Sequence, residues 1–258
     1  PASIDAVVVC HSHIDHIGRI PKLMRQGFRG RIYSSLPTKA FADVMLRDSL
    51  GVLKKEAASD DAPVLYEEKD IDAALGVWEG KAYEEEFMVG DIRIRLKKAG
   101  HILGSAIILI EYDKGRRIAF TGDLGNSPAP LLGSFDYVND AAYMVIESAY
   151  GNRVHEGVAE RKQKLERVVE DTCARGGTLM IPAFSLERTQ ELLYEFNELA
   201  ENHRIPRVPI FLDSPLAIKA TRIYREYGTH FSKEAQALIK EGDDLFRFPG
   251  LQITESAE

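Results

Sequence analysis

Cysteine is scarce in this sequence: two in 258 residues, Cys10 and Cys173, both in apolar settings and without Cys-x-x-Cys spacing. That excludes a disulfide framework and a thiolate zinc knot, and the pair reads as buried thiols of a reducing compartment with no part in the chemistry. Long apolar runs are missing as well. None approaches the roughly 20 residues that span a bilayer, so no membrane segment is expected; without a signal-type opening, the expected location is cytoplasmic. Basic residues are outnumbered, 33 Lys and Arg against 40 Asp and Glu, giving a formal net charge of −7. A surface coated in basic patches is thereby excluded, so a polyanion would have to be met by a local groove and by bound cations. What remains is an ordinary globular composition, at a length that suits one large domain or two modest ones.

Against these absences stands one dense stretch, Val7-Val8-Val9-Cys10-His11-Ser12-His13-Ile14-Asp15-His16. With only seven histidines in the chain, such a string arises by chance in roughly 3 of 10,000 sequences of this composition. If Ala6 to Cys10 is a buried strand, His11 and His13 project to one side just past its end and make two ligands for one ion. Asp15 and His16 lie one turn further on, where the chain bends into an amphipathic segment carrying Ile17, Ile20, Leu23 and Met24. From there they can point at a second ion close by. Imidazole with carboxylate suits zinc, and equally iron or manganese.

The chain then alternates between strand and helix signals. Arg31-Ile32-Tyr33 reads as a short strand, and Pro37 opens a helix with Phe41, Val44 and Met45 on one face. Charged residues dominate from Lys54 to Glu86: Lys54 to Asp61 with Pro63 reads as a solvated helix end and loop, and Ile71, Leu75 and Trp78 as one apolar stripe. From Asp91 the period becomes two: Ile92, Ile94 and Leu96 alternate with Arg93, Arg95 and Lys97, which predicts an antiparallel, half-exposed strand. It ends at Ala99 to Ser105, where His101 sits between Gly100 and Gly104. A hairpin follows, Ile107 to Tyr112 and Ile118 to Phe120 about a turn at Asp113-Lys114-Gly115, and runs into Thr121-Gly122-Asp123. A further strand, Tyr143 to Ile146, ends at Glu147. Strand after strand therefore terminates in His, Asp or Glu, and converging strand ends are where sites are commonly assembled.

Past Gly151 the pattern predicts a helix Arg161 to Cys173 with Leu165, Val168 and Val169 inward, a strand Thr178 to Ile181, a helix Leu186 to Ala200, a strand Val208 to Leu212 and a helix from Pro215. That order implies a small parallel sheet covered by helices. Ser214 reads as the N-cap of the last helix. A helix start can receive a phosphate, which makes Ser214 a candidate substrate contact, together with Arg188 near the start of the preceding helix. Arg247 to Glu258 shows no clear element.

Taken together, His11-x-His13-x-Asp15-His16, Gly100-His101 and Thr121-Gly122-Asp123 resemble the signature of the metallo-β-lactamase fold of dinuclear metal hydrolases. The continuation is more specific. Ile146-Glu147-Ser148-Ala149-Tyr150-Gly151 with Val154-His155-Glu156, then Gly176 to Phe184, then Asp213-Ser214-Pro215-Leu216-Ala217, look like the β-CASP branch. That branch includes the cleavage and polyadenylation endonuclease of messenger-RNA 3′ ends and its bacterial and archaeal relatives. The resemblance covers essentially the whole chain. It implies an α/β fold: an incomplete αββα sandwich over residues 1–150, lacking its N-terminal strands, and an inserted β-CASP α/β domain of parallel-sheet type over residues 151–258, lacking its C-terminal part.

The resemblance also implies two divalent metal ions, taken as zinc. His11, His13 and His101 would bind the first, Asp15 and His16 the second, and Asp123 would bridge them. Glu147 would be a supporting carboxylate that orients a histidine ligand or proton donor, which makes Asp15 and Glu147 the catalytic candidates. The implied reaction is hydrolysis of a phosphodiester in single-stranded RNA by metal-activated hydroxide, in RNA processing or degradation. The strand would lie in the cleft between the two domains, and a homodimer is the assembly to consider. Two departures stand out. Family members carry several strands with an aspartate motif before the His-x-His-x-Asp-His stretch, and two histidine motifs after the insertion. His155 follows Glu147 too soon to be either of these, and His203 and His230 fall within the insertion, so the chain reads as an internal fragment. Three alternatives share part of the pattern. A hydrolase of thioesters, lactones or β-lactams has no need of Glu147-Ser148-x-Tyr150-Gly151 or Asp213-Ser214-Pro215. A DNA-repair nuclease of the same branch is the closest rival. A non-catalytic scaffold tends to lose ligand residues, and here all six are intact.

Overall fold

In the computed structural model, which describes residues 1–126, 129–154 and 157–254, the opening apolar run forms β1 (Ala6–Val8). It pairs parallel with β2 (Arg31–Ser35), which pairs parallel with β3 (Trp78–Lys81). Parallel neighbours need crossover connections, and helices supply them: α1 (Ile14–Ile17) and α2 (Ile20–Arg25) before β2, α3 (Leu36–Ser59) and α4 (Glu68–Gly76) before β3. Ser35 caps α3 by accepting the Thr38 amide, with Pro37 in the first turn. Helices and sheet together bury Ile17, Phe28, Ile32, Leu46, Ile71 and Trp78 in one core.

Two readings of this stretch are corrected. Trp78 does not extend the helical stripe of Ile71 and Leu75. It opens β3 and reaches the same core from the sheet, donating its indole N–H to Ser34 Oγ at 2.8 Å. A spacing of four and then three residues fits a helix face, but Gly76 is the last helical residue and the chain has turned before Trp78. The wet-face reading of the charge run also passes over β4 (Glu86–Val89), which begins at the run's last residue; only Phe87 in it is buried, so no period could show.

The second sheet has the order β4-β5-β6-β7-β8, where β5 is Ile92–Lys98, β6 Ala106–Tyr112, β7 Arg116–Phe120 and β8 Tyr143–Val145. Pairing is antiparallel throughout except that β8 lies parallel to β7. In β5, Ile94 and Leu96 are buried while Arg93 is exposed, as the alternation predicts, but Ile92 at the start of the strand is exposed. β6 is apolar on both faces and needs to be. Ala106 and Ile108 join Phe87, Ile94 and Leu96 against Val8, Cys10 and Tyr33, while Ile107 and Leu109 join Ala99 and Ala119 under Leu124, Val138 and Ala141. Helices, first sheet, second sheet and a covering loop are thus stacked in that order.

Backbone proximity divides the chain into two units, Pro1–Asn126 with Ser134–Glu147, and Ser127–Gly133 with Ser148–Glu258. The second contains α5 (Val158–Ala174), α6 (Arg188–Glu201), β9 (Ile210–Leu212), α7 (Pro215–Glu226), a 3-10 turn (Gly228–His230), α8 (Lys233–Lys240) and β10 (Leu251–Ile253). β9 and β10 form a two-stranded parallel sheet. Leu193, Phe196, Leu199, Ile218, Tyr224 and Phe246 are buried here. Three readings are corrected. Thr178–Ile181 is not a strand: Met180 is 85% and Phe184 82% exposed. A strand exists through its neighbour's hydrogen bonds, and among the described residues β9 and β10 take each other. Of the residues expected inward on α5, Val169 is buried but Val168 is exposed. Finally, the apparently featureless end contains β10, too short to show a pattern. His155 and Glu156 lie outside the described residues.

Candidate metal centre

The strand end that carries the first motif is clamped from both sides. Val9 donates its amide to the Tyr33 carbonyl at 2.8 Å, and the Cys10 carbonyl accepts the Ala106 amide at 2.7 Å. His11 is fully buried there, and His13 is the N-cap residue of α1, which then presents Asp15 and His16. His101 comes from the loop between β5 and β6. That loop is tied by Ser105, whose hydroxyl accepts the amides of His101 at 3.0 Å and Ile102 at 3.2 Å, and by Ser35 and Thr38, whose hydroxyls donate to the Gly104 carbonyl.

Asp123 follows β7 on a loop pressed against its neighbours. Gly125 donates its amide to the Ala99 carbonyl at 2.9 Å, and a Cβ at Gly125 would stand 1.7 Å from the Gly100 carbonyl oxygen. Only glycine permits this approach, and it brings the Asp123 loop onto the His101 loop. Glu147, just past β8, accepts the Leu124 amide at 3.0 Å and donates its own amide to Thr121 Oγ1 at 3.3 Å. Its carboxylate therefore steadies the backbone next to Asp123.

Four donor atoms converge as a result. His13 Nδ1 lies 3.1 Å from His11 Nε2 and 3.2 Å from His101 Nε2, while Asp123 Oδ2 lies 3.8 Å from His11 Nε2 and 3.6 Å from His101 Nε2. All four atoms fall within 4.8 Å of one another. Donors about 2.0–2.1 Å from a tetrahedral centre stand roughly 3.3–3.5 Å apart, so the set fits one small divalent ion. The other carboxylate oxygen, Asp123 Oδ1, lies 3.4 Å from His16 Nε2, and Asp15 Oδ2 lies 3.4 Å from the same nitrogen. The structure therefore brings all six candidate ligands into one neighbourhood, with Asp15 the most exposed of them.

Burial, reinforced by the nearby His16, His101 and His13, pushes the His11 pKa down to about 2. His13 is lowered first by burial and then by His101, and His101 is lowered by burial against the opposing pull of Asp123 and Glu147. These three imidazoles are consequently neutral at pH 7 and keep a lone pair for a cation. Cys10, read from the sequence as an inert thiol, has Sγ 3.4 Å from His11 Nδ1 and 3.3 Å from His16 Nδ1, and burial raises its pKa to about 11. Ser105 and Thr121 were also missed as participants. Their adjacency to His101 and Asp123 was the one available signal, because their contacts appear only when the loops close.

The two substrate candidates belong to the second unit. Arg188 begins α6 and pairs with Glu191 at 2.7 Å; the Ser214 hydroxyl caps α7 by accepting the Ala217 amide at 3.2 Å. No helix among the described residues is long and apolar enough to cross a membrane.

Residues 1–173 match the metallo-β-lactamase superfamily, and residues 189–258 match the β-CASP domain. The chain is 35% identical over 258 residues to Ribonuclease TTHA0252 of Thermus thermophilus, covering 100% of this chain and 57% of the relative. It is 33% identical over 227 residues to cleavage and polyadenylation specificity factor subunit 3 of Dictyostelium discoideum, covering 87% and 29%. It is 34% identical over 249 residues to transcription termination factor FttA of Methanocaldococcus jannaschii, covering 94% and 38%. The chain thus spans between about three tenths and six tenths of the length of these relatives.

Proposed function

The chain belongs to the metallo-β-lactamase superfamily and carries a β-CASP domain, and from this premise we propose that it holds the metal centre of a ribonuclease that hydrolyses phosphodiester bonds of single-stranded RNA. The observation that carries the reading is the convergence of His11, His13, His101 and Asp123 on one point. Relatives named as a ribonuclease and as a cleavage and polyadenylation factor support RNA as the substrate. In this reading residues 1–150 are the hydrolase domain and residues 151–258 the insertion.

His11, His13 and His101 would hold one ion, and Asp15 with His16 a second. Asp123 would serve both, since Oδ2 faces His11 and His101 while Oδ1 faces His16. The imidazole-rich donor set suits zinc. When bound, such a pair of ions lowers the pKa of a water toward neutrality and offsets the charge that builds on the scissile phosphate. The protein's share is to present neutral imidazoles that need no deprotonation, and to fix the spacing of the two sets through one carboxylate. Glu147 acts one step removed, by holding the Leu124 amide beside Asp123. At the starts of α6 and α7, Arg188 and Ser214 would contact backbone phosphates of the strand.

Asp15→Ala and His16→Ala, made in the protein that contains this chain, are each expected to lower RNA cleavage by about a hundred- to a thousand-fold while leaving the circular dichroism spectrum and melting profile intact. Unchanged cleavage by either variant rejects the assignment.

A further inference from the structure

We propose that Cys10 is a positioning residue of this centre: its sulfur accepts the Nδ1 hydrogens of both His11 and His16 and so turns Nε2 of each ring toward Asp123. The proposal rests on the metal-centre reading and adds a residue to it.

Sγ lies 3.4 Å from His11 Nδ1 and 3.3 Å from His16 Nδ1. On the far side of each ring Nε2 faces the bridging carboxylate, at 3.8 Å from Oδ2 for His11 and 3.4 Å from Oδ1 for His16. An imidazole that offers its Nε2 lone pair to a cation carries its proton on Nδ1, and that N–H needs an acceptor. In metal sites a carboxylate, a backbone carbonyl or a water usually takes this place. Here one sulfur serves two rings, one from each ligand set, and holds their centroids 3.9 Å apart at a tilt of 49°.

The same side chain also supports the loop of the bridging residue. A Cβ at Gly122, whose φ is +55°, would stand 2.7 Å from Cys10 Cβ and 2.9 Å from Sγ, so the turn that presents Asp123 lies directly on the thiol. The Cys10 carbonyl meanwhile accepts the Ala106 amide at 2.7 Å, where β6 begins after the His101 loop. Cys10 thus touches the turn that leads to Asp123 and the start of β6 that follows the His101 loop, although the sequence marks it only as the residue before His11.

The test uses metal-stripped protein titrated with Co²⁺, with affinity read by competition against a chromophoric chelator and geometry read from the visible absorption of bound cobalt. Cys10→Ser keeps an acceptor, Cys10→Ala removes it, and Cys10→Val removes it while filling the space. Cys10→Ala and Cys10→Val are expected to bind cobalt about 10- to 100-fold more weakly with an altered absorption band, and Cys10→Ser to stay within about threefold of wild type. Wild-type affinity and spectrum in Cys10→Val overturn the proposal. So does a Cys10→Ser as weak as Cys10→Ala, because volume would then matter and not the acceptor. If Cys10→Ala does not fold, the serine and valine variants carry the comparison. Wild-type protein that takes up no cobalt overturns the metal-centre reading and this inference with it, whereas normal uptake with unaltered variants removes only the role of Cys10.

Discussion

The two units place their candidate site residues on different kinds of support. In the first, His11, His101 and Asp123 each stand a few residues past a paired strand; backbone hydrogen bonds clamp the His11 segment, a hydroxyl ties the His101 loop and a glycine in backbone contact seats the Asp123 loop. In the second, Arg188 and Ser214 stand at helix starts, one paired with Glu191 and the other used as a cap, and the apolar run through Met180 and Phe184 is exposed. Among the described residues, every group of candidate metal ligands lies in the first unit. Strand ends locked on two sides can hold several donors to the tolerance a metal demands; a helix start offers an oriented charge but fixes one residue at a time.

If this contrast is right, backbone contact should matter most in the first unit. Gly125→Ala is expected to cost about 3 kcal/mol or more, because the new methyl would meet the Gly100 carbonyl at 1.7 Å. Chemical unfolding would show the loss and cobalt binding should fall with it; a variant with wild-type stability breaks the comparison.

Acid should separate the units by sign. His11 is held far below its ordinary 6.5, and His13 and His101 are lowered too. Their folded pKa values lie below the unfolded ones, so their contribution is present above pH 6.5 and is lost as pH falls. The slope is at most about 1.4 kcal/mol per pH unit for each histidine. Glu195 in the second unit runs the other way. Burial raises its pKa against the pull of Lys162, so its contribution is present at low pH and is lost as pH rises above 4.5. Hydrogen exchange of metal-free protein, corrected for intrinsic rates, should show the first unit loosening between pH 7 and 5.5 while segments around Glu195 hold or tighten. Parallel loosening of both units would contradict this.

The smallest effect is expected at Met180. Met180→Ser should change stability by no more than about 0.5 kcal/mol, since the side chain is 85% exposed. A loss several times larger, measured in the protein that contains this chain, would mean that this run is packed there, and the contrast would need redrawing.

Much of the first unit was legible because its signals are local. The alternation in β5, the hairpin of β6 and β7 about Asp113-Lys114-Gly115, the proline that opens α3 and the stacked donors after Val9 each express a rule that acts within a few residues. Trp78 was misread because its spacing from Ile71 and Leu75 suits a helix face, whereas Gly76 ends the helix before it. Thr178–Ile181 was misread for the opposite reason: it has the composition of a strand, but the ladder that makes a strand belongs to a neighbour. β10 escaped because three residues carry no period, and only its pairing with β9 defines it.

The sequence by itself determined which donors exist, that they follow strands, and that imidazole and carboxylate outnumber thiolate among them. It did so because ligand chemistry and period-two burial are written in residue type and spacing. The tertiary structure alone decided that Asp123 turns one oxygen to His11 and His101 and the other to His16, that Glu147 braces the Leu124 amide, and that Cys10 sits behind two of the rings. Those facts depend on contacts between residues as far apart in the chain as His11 and Asp123, made only when two sheets close on each other and the backbone passes where glycine leaves room.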